Sequence, residues 1–230
     1  MNKSTVIGAA VLAVSICVLG LCIKAGIDNF AFRDRVVTVR GLAERTVEAD
    51  YVTWPMNYAV AGDDLSSLYN EMQTNNDIVV KFLTDNGIER DEISVNPPDL
   101  YNAAGNVYGG DRARYQYNLN VTITVATKKV AKVRELITRQ SELLKKGVAV
   151  SNNYINYQFT GLNSVKPEMI AEATKNARVA ADQFASDSSS KVGKIKTATQ
   201  GQFSINDADS STPQLKNVRV VSTIIYYLED

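Results

Sequence analysis

The run from Tyr115 to Val125, YQYNLNVTITV, constrains this chain more than any other stretch. Tyr115, Tyr117, Leu119, Val121, Ile123 and Val125 are apolar or aromatic, and every residue between them is Gln, Asn or Thr. Period two over that length specifies a β-strand, whose successive side chains point to opposite faces of a sheet. The odd face is expected to lie under helices, those starting near Asp64 and Pro167. The even face, Asn118, Asn120, Thr122 and Thr124, is left for water or a partner.

The remaining elements follow from pattern and punctuation. Val36 to Arg40 opens the folded part with alternating Val37 and Val39, and Gly41 to Asp50 reads as a polar interruption. Alternation returns with Val52, Trp54, Met56, Tyr58 and Val60, where Pro55, lacking an N–H, predicts an edge strand or a bulge. Gly62-Asp63-Asp64 supplies a turn and an N-cap for a helix to about Asn86, striped by Leu65, Leu68, Met72, Val79, Phe82 and Leu83 and stopped at Asn86-Gly87. Ile88 to Val95 enters a short strand that Asn96-Pro97-Pro98 breaks. Asp99 to Asp111 then reads as an exposed hairpin loop.

A second helix runs from Thr127-Lys128-Lys129 to Lys146-Gly147, followed by a strand containing Ile155, Tyr157 and Phe159. The longest helix is expected from Pro167 to Lys191, with Ile170, Thr174, Ala177, Ala181 and Phe184 on one face. Strands at Lys194 to Ile205 and Asn217 to Leu228 flank a polar turn, Asn206 to Pro213. The last strand is apolar on both faces, which predicts a central position or burial against another subunit. A helix, Gly-Ile, strand sequence (Phe82 to Val95) recurs as helix, Gly-Val, strand (Leu143 to Phe159), read as two related βα layers. The fold class is α+β, a mixed or antiparallel sheet with helices packed on it.

Ahead of this, Thr5 to Ile23 carries no charge for 19 residues, about the length that crosses a bilayer core as a helix. A transmembrane signal anchor, a cleaved signal peptide and a lipoprotein signal all compete for it. Ile23-Lys24-Ala25-Gly26 is a poor cleavage site. Leu19-Gly20-Leu21-Cys22 is similar to a lipobox except for Leu21, so a lipoprotein through Cys22 is the alternative; span length favours the anchor. Lys24, Arg33 and Arg35 follow the span and only Lys3 precedes it, which leaves orientation open on charge alone.

Composition excludes several classes. Lysine plus arginine and aspartate plus glutamate each total 25, so no global field draws the protein to nucleic acid. Histidine is absent, which removes the commonest metal ligand and the usual neutral-pH proton shuttle. Both cysteines, Cys17 and Cys22, lie in the apolar run, which leaves no disulfide framework, thiol nucleophile or zinc knuckle elsewhere.

Three groups of residues invite a chemical reading. Ser188-Ser189-Ser190-Lys191 imitates the SxxK of serine acyl-enzymes, with Ser151-Asn152-Asn153 and Lys196-Thr197-Ala198 as companions. The order is wrong, a glycine is missing, and Ser188 ends a helix instead of opening one. Asp63-Asp64 is better explained as a helix cap, Glu89, Asp91 and Glu92 as turn residues, and Asp207 with Asp209 as too few oxygens for calcium. No metal or cofactor site is assigned. Tyr101 and Tyr108, near one hairpin with Tyr115 and Tyr117, suit partner contact because tyrosine joins a rigid apolar body to a polar tip; padding of a strand rim is the simpler account.

From Val36 to Leu228 the chain resembles the SIMPL domain family, exported bacterial proteins of unsettled function that include periplasmic immunogenic and stress-defence proteins. The likeness rests on Val39-Arg40-Gly41 with Glu44, Val47 and Asp50, and on Asn86-Gly87-Ile88 with Asp91, Ile93 and Val95. Tyr115 with Val121 to Val125, the alanine-rich Glu172 to Ala185 and Val192-Gly193-Lys194-Ile195 extend it. Ala49 stands where the family usually has proline. The resemblance implies βα layers, assembly into a ring or other homo-oligomer, and a periplasmic location. The expected organisation is a signal anchor over residues 1–27, a linker over 28–35 and a SIMPL-like domain over 36–230. The expected role is a homo-oligomeric scaffold or binding module of the bacterial cell envelope, held in the inner membrane, stress-related and not an enzyme; the alternative is an envelope enzyme using carboxylate or Ser-Lys chemistry.

Overall fold

The computed structural model describes residues 3–31, 35–102, 115–152 and 154–229, with side chains described from residue 12 to 27 in the first range, from 35 to 102 and 115 to 151, and from 154 onward. It contains helices α1 (Lys3–Ala31), α2 (Leu65–Asp85), α3 (Val130–Arg139), α4 (Ser141–Lys145) and α5 (Leu162–Asp187). Its strands are β1 (Val36–Glu48), β2 (Tyr51–Gly62), β3 (Ile93–Val95), β4 (Asp99–Asn102), β5 (Tyr117–Thr127), β6 (Ser151–Asn152), β7 (Asn156–Gln158), β8 (Lys191–Gln200), β9 (Ser204–Asp207) and β10 (Leu215–Glu229). The chain is α+β, with antiparallel strand pairs and helices, and divides into two compact units: residues 1–45, 163–204 and 218–230, and residues 46–162 and 205–217.

The second unit is organised around β5. Leu119, Val121, Ile123 and Val125 are buried and the residues between them exposed or half-buried, as the alternation requires. β5 pairs antiparallel with β2 from Val52 opposite Thr127 to Gly62 opposite Tyr117, without a register shift. β3 and β4 pair antiparallel with the other side of β5, and β6 and β7 with the far side of β2. Hence β3 runs parallel to β2 with β5 between them, and β7 parallel to β5 with β2 between them. This is two interleaved split βαβ units, the ferredoxin-like arrangement, and it gives the recurrent helix, Gly-Ile/Val, strand segments a common structural meaning.

Both repeats close with the same cap. Gly87 and Gly147 adopt positive φ, +90° and +87°. Ile88 and Val148 donate their N–H to Leu83 and Leu143 carbonyls, and the glycines donate to Thr84 and Leu144. This is the Schellman pattern, and it drops Ile88 and Val148 into the core, 2% and 1% exposed. Asp64 caps α2 by accepting from the Ser67 N–H at 2.8 Å. The core joins Trp54, Met56, Val79, Leu83, Ile123, Leu136 and Leu143, so the helices covering the odd face of β5 are α2, α3 and α4.

That corrects the expectation for the long helix. α5 begins at Leu162, five residues before Pro167, and belongs to the first unit, where Ala177 and Ala181 cluster with Val39, Ile224 and Tyr226. Its buried stripe is Met169, Ala173, Ala177, Ala181 and Ala185, while Phe184 is 61% exposed. The small side chains face the sheet because β1 approaches closely: a Cβ at Gly41 would stand 1.8 Å from the Ala173 carbonyl oxygen. Gly41 to Glu48 is therefore strand, continuing β1, and its polarity marks the exposed alternate positions. In this unit β10 lies between β1 and β8, central as its composition predicts, with Val218, Val220, Ile224 and Tyr226 buried on one face.

Two smaller corrections concern punctuation. Pro55 sits in a central strand without a bulge; β6 ends opposite Met56 and β7 begins opposite Thr53, leaving a break in the ladder that a residue without an N–H tolerates. The expected strand from Lys194 to Ile205 is two, β8 and β9. Gly201 lies between them, donating its N–H to the Val221 carbonyl at 2.8 Å.

Candidate functional site

Tyr101 lies on β4 opposite Asn118, 48% exposed, and Asp99 lies opposite Asn120; Tyr108 is outside the described residues. Register places Tyr101 and Asp99 on the even face of β5, beside Asn57 and Ala59 of β2, which stand opposite Thr122 and Asn120. This face is built from amides, hydroxyls and small side chains, with Asp99 its charged member along these three strands. The Oδ1 atoms of Asn57 and Asn118 are buried without a hydrogen-bond partner, a desolvation cost of about 1–3 kcal/mol each.

The Ser-Lys reading does not assemble. Ser188 follows the last turn of α5 and its hydroxyl donates to the Ala185 carbonyl at 3.0 Å, while Lys191 opens β8. Ser189 takes φ +55° and Ser190 donates to the Ala185 carbonyl, closing the helix in a third Schellman cap.

The acidic residues perform structural tasks. Asp63 accepts from the Gln116 N–H at 2.8 Å. Glu92 accepts from the Thr127 hydroxyl, from Lys129 Nζ at 3.0 Å and from the Glu89 N–H at 2.8 Å, tying the start of β3 to the end of β5. Burial pushes the Glu92 carboxyl up, but the hydrogen bonds from Thr127, Glu89 and Lys129 outweigh it and hold the group below its ordinary value. Asp209 accepts from the hydroxyls of Ser211 and Thr212 and from their N–H groups at 2.7 Å, which lowers its carboxyl strongly and fixes the turn before β10. Among the described residues no three Asp, Glu or Cys side chains gather as metal ligands would.

One concave site was not found from the sequence. It opens along β7 and the start of β10, with a volume of about 370 Å³, and its walls include Tyr154, Asn156, Gln158, Thr160, Asp207 and Lys216. Outside the walls, the Asp50 carboxylate fixes the backbone after β7 by accepting from the N–H groups of Thr160 and Gly161 at 2.7 and 2.9 Å. Lys216 is paired with Asp207, and its side chain is 8% exposed. It is the only charged residue among those buried in the described chain. Tyr154 at the rim is 75% exposed. No periodicity signals this cleft, because it joins segments more than forty positions apart; Lys216 and its pairing to Asp207 across a hairpin are the faint available sign.

A ferredoxin-like sheet with one helical face and one open face, together with a helix-on-sheet unit, defines an α+β protein whose accessible features are surfaces and a cleft. The family whose model matches residues 37–223 is SIMPL, described as a protein of unknown function (DUF541). The match spans most of the chain, and the chain belongs to that family. No curated protein matches it.

Proposed function

We propose that this SIMPL protein is a membrane-anchored, extracytoplasmic, homo-oligomeric scaffold or binding module of the cell envelope, acting without catalysis and serving in stress. The observation that carries the reading is the open face of the six-stranded sheet. The side chains of Asn57, Asn118, Asn120 and Thr122 give this face a polar character with almost no charge to desolvate, Ala59 leaves it flat, and Tyr101 adds rigid contact area. Charged residues are depleted from the cores of protein interfaces and tyrosine is enriched there.

Anchoring is supported by α1. Leu12, Ile16, Leu19, Ile23 and Ile27 on one side of the helix and Val14, Val18 and Leu21 on the other are each more than half exposed, so apolar surface is not confined to one stripe, as lipid contact requires. Among the described residues no helix is long and apolar enough to cross a membrane; the side chains described in α1 begin at Leu12, inside the charge-free run Thr5 to Ile23. Inner-membrane attachment with a periplasmic C-terminal domain therefore rests on the whole charge-free run together with the family. Cys22, exposed on α1, is the attachment point in the lipoprotein alternative.

Light scattering on detergent-solubilised protein is expected to give a multimer. Placing lysines at Asn120 and Thr122 together is expected to reduce it without lowering the melting temperature. A strictly monomeric wild-type chain at high concentration overturns the assembly reading. Intact mass from membranes decides the anchor: a full-length mass supports it, a diacylated Cys22 supports the lipoprotein, and cleavage without lipid removes both.

A further inference from the structure

We propose that the cleft between β7 and the β9–β10 hairpin is a binding site for a neutral saccharide, with Tyr154 as stacking platform and Lys216, Asp207, Asn156 and Gln158 as hydrogen-bonding wall. The inference rests on the binding-module part of the function above and names what that module holds. Asn156 and Gln158 stand opposite Thr53 and Tyr51, so the cleft lies at the β7 edge of the open sheet face, away from Tyr101 on β4.

Charge comes first. Among the described residues Lys216 and Asp207 are the only ionised side chains lining the cleft, and they neutralise each other. A phosphate or a polycation would meet no net opposite charge. The pair is also an unusual use of a lysine: the Lys216 side chain is 8% exposed while Asp207 is 36% exposed, and desolvation of the ammonium offsets much of the attraction. A buried aliphatic side chain would serve the hairpin as well. The ammonium carries three donors, and Asp207 is its partner among the described residues, which leaves donors for something entering the cleft.

The wall then alternates in character. Lys216 donates, Asp207 accepts through its second oxygen, and the amides of Asn156 and Gln158 and the Thr160 hydroxyl do both. A ligand group complementary to such a wall must itself donate and accept, which is the property of a hydroxyl. The Tyr154 ring offers a flat apolar face with a polar tip, matched by the C–H face of a pyranose whose hydroxyls project around its edge. The volume lies within the range of small-molecule pockets, sufficient for one or two sugar units. An extended peptide is less well served, because β7 is three residues long and a short edge gives few main-chain hydrogen bonds.

Full-length protein in detergent is titrated calorimetrically with chitotriose and with maltotriose, which separates N-acetylated from plain neutral glycans, and with a galacturonic acid trimer as acidic counterpart. Saturable binding of either neutral glycan is expected, weakened about tenfold or more by Tyr154→Ala and by Gln158→Ala at unchanged melting temperature. Tyr154 projects into solvent and Gln158 is exposed, so neither truncation threatens the fold. No saturation by either neutral glycan at about 10 mM, wild-type affinity in both variants, or binding of the acidic trimer alone overturns the assignment. Subunit mass measured on the same samples keeps the failures apart: a multimer that ignores glycans sinks the cleft alone, and a monomer that binds them sinks the assembly alone.

Discussion

Three residues show how much of this molecule depends on single atoms. Gly41 has no room for a Cβ, which would collide with both the Ala173 carbonyl and the Ala177 nitrogen, 1.8 and 2.5 Å away. Because those atoms are backbone, α5 must move, and Gly41→Ala is expected to lower stability by about 3 kcal/mol, read as a shift in denaturation midpoint. Ser189 is the opposite case, a side chain in the left-handed region at φ +55° where glycine is at ease. Ser189→Gly is expected to stabilise by roughly 1 kcal/mol, checked the same way. Glu92 carries a pH signature. Its folded carboxyl titrates below the unfolded one, so its contribution is complete at neutral pH and disappears as pH falls through the folded value. Glu92→Gln is expected to cost about 1–2 kcal/mol near pH 7, and thermal melts of the two proteins should converge near pH 2.

Elements with a strict period or a cap are legible in the sequence. β5 follows its eleven alternating residues except at Tyr115, which lies before the strand and is exposed, and α2 follows its aspartate cap, apolar stripe and glycine stop except at Leu65, which is exposed. For α5 the expected face matches in part: Ala177 and Ala181 are buried, but Ile170 and Thr174 are half-buried and Phe184 is exposed. Close approach to a glycine-bearing strand extends the stripe through Ala173 and Ala185 and leaves Phe184 and Val179 outside. That choice depends on a neighbour distant in sequence, which a local window does not contain. The long second helix breaks at Gln140 into α3 and α4, where neither proline nor glycine marks the change. Among candidate site residues, Tyr101 was placed as exposed from composition alone, whereas the Lys216–Asp207 cleft was not, since its polar residues look like ordinary surface until the hairpin folds them beside β7.

At the scale of the whole molecule, the interleaving of the two split units has a consequence for how the chain becomes a protein. The first half of the six-stranded sheet contributes β2, β3 and β4, and the second β5, β6 and β7. Every pairing joins a strand of one half to a strand of the other. Neither half can therefore make one ladder hydrogen bond by itself, and no partial sheet rewards half the sequence for ordering. Early contacts must be long-range, which slows folding and removes any intermediate with only one half in place. Severing the chain between Asn102 and Tyr117 should yield two pieces that each lack the six-stranded sheet, with less strand signal by circular dichroism than the intact protein, and the missing signal should return only when they are mixed. During synthesis the first hundred residues wait, unpaired, for β5 to emerge.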